Sequence, residues 1–189
     1  MLRYLVGFFV TIGLVVLLII LLFSGGNDSS QKKLMTSGKP LASYASTDAQ
    51  ARLIIDGPIV APIDHRQIVI TVDRNSAKID LEQGYDGSVI ESHVYPNTEA
   101  SYREFLHSLA LLNFTKGITN DASLKSESGH CASGNRFVFE LAQTGKLIQH
   151  LWATSCNGPR SFEGNVDSTV YLFKRQIPGY DNLRLPLQY

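Results

Sequence analysis

The side chains with the most chemistry to offer are the two cysteines, Cys131 and Cys156, with His130 beside the first. Three chemistries are open to such a set: a disulfide, a zinc site and a thiolate nucleophile. The segment between the cysteines decides among them. Residues 136–143 and 146–154 are rich in β-branched and aromatic residues, and Thr144-Gly145 supplies a turn, which predicts a hairpin. With those two residues as the loop, Phe137 falls opposite Trp152, Phe139 opposite His150, Leu141 opposite Ile148 and Val138 opposite Leu151. Cys131 then lies two strand positions, about 6.6 Å, from the residue facing Cys156, and Ser133-Gly134 lets the backbone close that gap. Such a bond would contribute about 3 kcal/mol by restricting the unfolded chain, and it persists in an oxidising compartment. Zinc fits poorly. His150 would sit about 20 Å along the strand from Cys156, and adjacent residues such as His130 and Cys131 are badly spaced as ligands. The pair therefore predicts a Cys131–Cys156 disulfide.

Ser128-Gly129-His130-Cys131 followed by Arg136 resembles the Ser-His-Gly-Cys-x-Arg signature of peptidoglycan L,D-transpeptidases. The resemblance implies an envelope enzyme with Cys131 as nucleophile and His130 or His107 as base. It covers fewer than ten residues; the Gly and His are transposed, the Arg is displaced, and no His-Gly-Thr segment lies upstream. The chain has no Gly-x-Ser-x-Gly, phosphate loop, dinucleotide fingerprint or His-Glu-x-x-His. Its Ser/Thr-x-x-Lys matches, at residues 30–33 and 36–39, fall where no fold would hold a nucleophile. Asp56, Asp64 and Asp73 are scattered and read as solvated, and His65, His93 and His150 read as isolated structural or surface residues. No catalytic, cofactor-binding or metal-binding residue is expected, and the leading role is non-enzymatic.

Positioning begins with the ends of the chain. Seventeen basic residues balance seventeen acidic ones, which argues against a nucleic-acid partner, since that needs a clustered cationic excess. Hydrophobicity is concentrated instead. Residues 4–23 carry no charge and at about 1.5 Å each would span roughly 30 Å, the thickness of a bilayer core. The run is longer than a signal-peptide core and no small-x-small site follows it, so it predicts an uncleaved signal anchor behind a short tail, residues 1–3. The layout also resembles pilin-like proteins, with one apolar N-terminal helix before an α+β head. Ile12, however, stands where that family places a glutamate. Residues 24–50, rich in Ser, Gly and Lys, predict a flexible linker reaching roughly 25–30 Å. Residues 51–189 then form one domain, placed outside the cytoplasm by the cysteine argument.

Within it, residues 52–56, 67–72, 77–81 and 88–95 read as strands of an antiparallel meander, joined by turns at residues 73–76 and 84–87. Tyr102, Phe105, Leu106, Leu109 and Leu112 form a helical stripe over residues 98–113, capped by Asn97 or Thr98. A polar loop is expected over residues 117–134. Residues 168–177 predict a second helix, with Val170, Phe173 and Ile177 on one face. The expected fold class is α+β: a transmembrane helix, then an antiparallel sheet of five to six strands, two helices and one disulfide. The last residues carry Tyr180, Leu183, Leu185, Leu187 and Tyr189 among few charges and predict a partner-binding tail. The expected partners are the bilayer, through residues 4–23, and an envelope protein or polymer. Membership of a membrane or pilus-like assembly is a further alternative.

Overall fold

A computed structural model describes residues 39–183, 185 and 186. The signal anchor, most of the expected linker, Leu187 and Tyr189 lie outside the described residues. Among those described, no helix is long and apolar enough to cross a membrane.

Period-two alternation builds six strands: β1 (Gln50–Asp56), β2 (Arg66–Val72), β3 (Ser76–Gln83), β4 (Ser88–Pro96), β5 (Arg136–Gln143) and β6 (Lys146–Thr154). They form one antiparallel sheet in the order β4-β3-β2-β1-β5-β6. The meander and the late hairpin thus join through β1 and β5. That long-range pairing sets Leu53 against Phe139 and Ile55 against Phe137.

One face is apolar and covered. Leu53, Ile55, Ile68, Ile70, Ile79, Phe139 and Leu151 are buried there beneath α1 (Glu99–Leu111) and α2 (Val166–Lys174). The helix stripe holds as expected for Tyr102, Phe105, Leu106 and Leu109, and Phe105 meets Phe173 edge-on at 5.1 Å. Thr98 caps α1 by accepting from the Ser101 N–H. The second helix is also present, capped by Asn165, which accepts from the Ser168 N–H at 2.9 Å. The helix therefore starts two residues earlier than expected and ends at Lys174.

Three expectations change. The fold begins before residue 51: Leu41 and Tyr44 lie on a 3-10 turn, spaced so that both face inward, and with Ala45 and Ala49 they are buried in the main core. The composition of residues 39–50 is that of a linker, yet these four apolar side chains close the core beside α1. The hairpin register also shifts by one. Thr144 and Gly145 both have positive φ, as a tight two-residue turn requires, and the turn pairs Ala142 with Leu147 as expected. Ile148 is then an extra residue, so that Leu141 pairs with Gln149, Phe139 with Leu151, Val138 with Trp152 and Phe137 with Ala153. Trp152 consequently faces away from Phe137, on the opposite side of the sheet. Finally, the loop over residues 117–134 is not polar throughout: Ile118 and Leu124 are buried with Val138 and Trp152 in a small second core, and the Trp152 indole donates to the Leu124 carbonyl at 2.8 Å.

Candidate functional site

The disulfide joins Cys131 to Cys156 with Cα atoms 5.7 Å apart. The shifted register would carry the cysteines farther apart, and a turn corrects for it, the Gly134 N–H donating to the Cys131 carbonyl at 3.1 Å. Only glycine fits at 134, because a Cβ there would lie 2.6 Å from Cys131 Sγ and 2.5 Å from Ser155 Oγ. The nucleophile implied by the transpeptidase resemblance is thus not presented: the Cys131 sulfur is bonded to Cys156 and offers no thiolate. His130 stacks on Trp152 at 4.8 Å, and His107 is exposed on α1. Zinc is disfavoured on the same ground, since each sulfur already holds the other.

The opposite sheet face, partly covered by the 117–134 loop, carries charge that sequence spacing did not assemble. At one end, Asp56 is not solvated. Arg136, almost fully buried, donates from Nε to Asp56 Oδ2 at 2.7 Å and from its other nitrogens to the Gly57 and Cys131 carbonyls. Gln67 donates to Asp56 Oδ1 at 3.0 Å. His65 is fully buried, with Nδ1 3.1 Å from the Pro58 carbonyl oxygen. Its Nε2 lies 2.9 Å from Asp56 Oδ1 but is not aligned for a hydrogen bond. Tyr85 stacks on the His65 ring at 3.9 Å. This cluster clamps the β1–β2 loop to the disulfide.

Four residues along the same strands, Arg52 pairs with Glu140 at 3.1 Å, and Glu140 contacts His150 Nδ1 at 3.0 Å. Glu127, from the 117–134 loop, contacts His150 Nε2 at 3.1 Å. The imidazole lies between two carboxylates, and hydrogen bonding to Glu127 first and Glu140 second raises its pKa to about 9. The same bond to His150 holds the Glu127 carboxyl below its ordinary value. The four side chains form a proton-dependent latch that holds the loop on the sheet.

Two concavities are large enough for a ligand. A cavity of about 350 Å³ wraps the β6 edge beside His150, between Thr115, Thr119 and Ile148. A groove of about 610 Å³ lies between α2 and the disulfide end of the hairpin. Phe137, Val166, Val170 and Tyr171 make its apolar lining, and Thr154, Ser155, Arg160, Asp167 and Lys174 its polar one. Burial lowers the Lys174 pKa, and its ammonium lies 5.0 Å from the centre of the Tyr180 ring. Arg160 is exposed, with no ion-pair partner among the described residues.

Of the expected partner-binding tail, three residues are described and Leu187 and Tyr189 are not. Leu185 is buried, and Tyr180 and Leu183 pack partly buried against the main core. Exposed apolar side chains lie elsewhere, at Ile59, Val60 and Ile63 in the β1–β2 loop and at Val89, Ile90 and Val94 on β4. Charge pairing across β1 and β5 was the missed signal: Arg52 opposite Glu140 and Asp56 opposite Arg136 are complementary, but only once those strands are known to be neighbours. The chain matches no protein-family model and no curated protein, so the functional reading rests on this geometry.

Proposed function

We propose that residues 39–189 form a non-enzymatic binding domain outside the cytoplasm, anchored in the membrane by residues 4–23, whose groove beside α2 takes a carboxylate-bearing peptide segment of an envelope protein. The observation that carries the reading is the Cys131–Cys156 disulfide. It favours an oxidising compartment and removes the one sulfur nucleophile suggested by the sequence. The groove supports the ligand class. Its lining offers Val166, Val170 and Phe137 to an apolar side chain, while Arg160 supplies an uncommitted guanidinium for a carboxylate. A peptide-binding domain on a single anchor also suits membership of a membrane assembly.

The test is a photo-crosslinking residue in place of Tyr171, which is exposed at the groove, in the full chain in its own membrane. The expected result is one protein adduct that disappears in an Arg160→Glu background. No adduct, a glycan-polymer adduct, or a protein adduct indifferent to Arg160→Glu would overturn the ligand assignment.

A further inference from the structure

Independently of the groove, β4 ends the sheet, and no described strand pairs with its outer side. Nine residues long, it exposes Val89, Ile90 and Val94 by 50%, 50% and 62%. Open edges with apolar side chains are templates for strand addition, and proteins ordinarily blunt them. The blunting here is slight: β4 has one extra residue, Ile90, where the register with β3 shifts between Leu81 and Glu82. From Glu91 to Pro96 the pairing to β3 is regular, so a further strand centred on Ser92 meets regular backbone at its middle and the bulge at Ile90 on one flank.

The order of side chains on that edge selects the occupant. Reading outward from Ser92, acid is matched by histidine and aliphatic by aliphatic: Glu91 mirrors His93, Ile90 mirrors Val94, and Val89 mirrors Tyr95. An antiparallel strand centred on Ser92 would therefore satisfy this edge if it had the same sequence. We infer that β4 pairs with β4 of a second copy about a two-fold axis at Ser92. Such an interface is isologous, each patch being its own complement. Glu91 of one protomer would face His93 of its partner, and the reverse, forming a ring of carboxylate–imidazole contacts on the helix side. Within one chain Glu91 and His93 already touch at 2.8 Å and both are half exposed, so the ring requires only that each reach across the axis. On the other side Ile90 would cover Val94 of the second copy, removing the exposed apolar surface from water. Lys146 and Leu147, on the opposite edge strand β6, have no such symmetry around them.

Disulfide crosslinking of the full chain in detergent tests this. Ser92→Cys should give a covalent dimer under mild oxidation, at several times the yield of Lys146→Cys. A mixture of Glu91→Cys and His93→Cys chains should crosslink more than either alone. By sedimentation, Val94→Lys should weaken the dimer roughly tenfold through loss of the apolar contact with Ile90, counted twice by symmetry. The exchange Glu91→His with His93→Glu should preserve it. Equal yields at Ser92 and Lys146, an adduct of Ser92→Cys with a different protein, or a dimer indifferent to Val94→Lys would overturn the pairing.

Discussion

Two charge clusters occupy the same sheet face, four strand residues apart, and they differ in what surrounds them. Asp56, His65 and Arg136 are sealed: the Arg136 and Asp56 side chains are 3% and 13% exposed. Arg52, His150 and Glu127 are wetter, at 36%, 26% and 24%, although the Glu140 they share is only 10% exposed. A sealed ion pair is costly to halve, because the remaining charge is left in a poor solvent. A wetter one falls back on water. The sealed cluster therefore determines whether the β1–β2 loop, the disulfide turn and the sheet share one structure, whereas the wetter one sets how firmly a single loop is held.

That contrast orders the expected effects. Arg136→Ala should be the most damaging, about 3–5 kcal/mol in urea unfolding, since it strands Asp56 and frees the Gly57 and Cys131 carbonyls. If Arg136→Met, which keeps the apolar stem but removes the charge, costs far less than Arg136→Ala, packing rather than charge is at work there. Cys131→Ser with Cys156→Ser should cost about 3 kcal/mol and leave the sheet intact by circular dichroism. His150→Ala should cost about 1–3 kcal/mol and release the loop over residues 117–134, seen as faster amide exchange confined to it. Glu99→Ala, which breaks an exposed pair with Arg103 one helical turn away, should cost no more than about 0.5 kcal/mol.

The latch also has a pH signature. The folded pKa of His150 is raised from 6.5 to about 9, so its contribution is complete below the unfolded value and is lost as pH rises through about 9. The Glu127 pKa is lowered, so its side of the same bond is complete above the unfolded carboxylate value and is lost as the medium becomes more acidic. Both describe one interaction and count once. Loop protection in amide exchange should be greatest between the unfolded values of the two groups, 4.5 and 6.5, decline as pH rises from there through about 9 and decline again in acid, and His150→Gln should abolish the alkaline fall.

Much of this architecture was legible in local pattern. Alternation at Ile68, Ile70 and Val72 marked β2, the stripe from Tyr102 to Leu109 marked α1, and the cysteines bracketing a hairpin marked the disulfide. What was not legible depends on neighbours far apart in sequence. Asp56 looked solvated because Arg136, eighty residues on, does not come beside it until β5 pairs with β1. His150 looked isolated because the expected register set it opposite Phe139, whereas the extra Ile148 brings Glu140 opposite it instead. Trp152 was set against Phe137 because turn chemistry fixes register only near the turn, and the extra Ile148 changes it afterwards. The apolar tail looked available because hydrophobicity alone does not distinguish a side chain that seeks a partner from one, like Leu185, that closes its own core.

The central claim, an oxidised domain outside the cytoplasm, is tested most directly in the cell that makes the protein. Intact cells would be treated with a membrane-permeant alkylating reagent before lysis, and the state of both cysteines read by mass spectrometry. The expected result is a Cys131–Cys156 linked peptide with neither sulfur alkylated; recovery of both cysteines as alkylated thiols would contradict it.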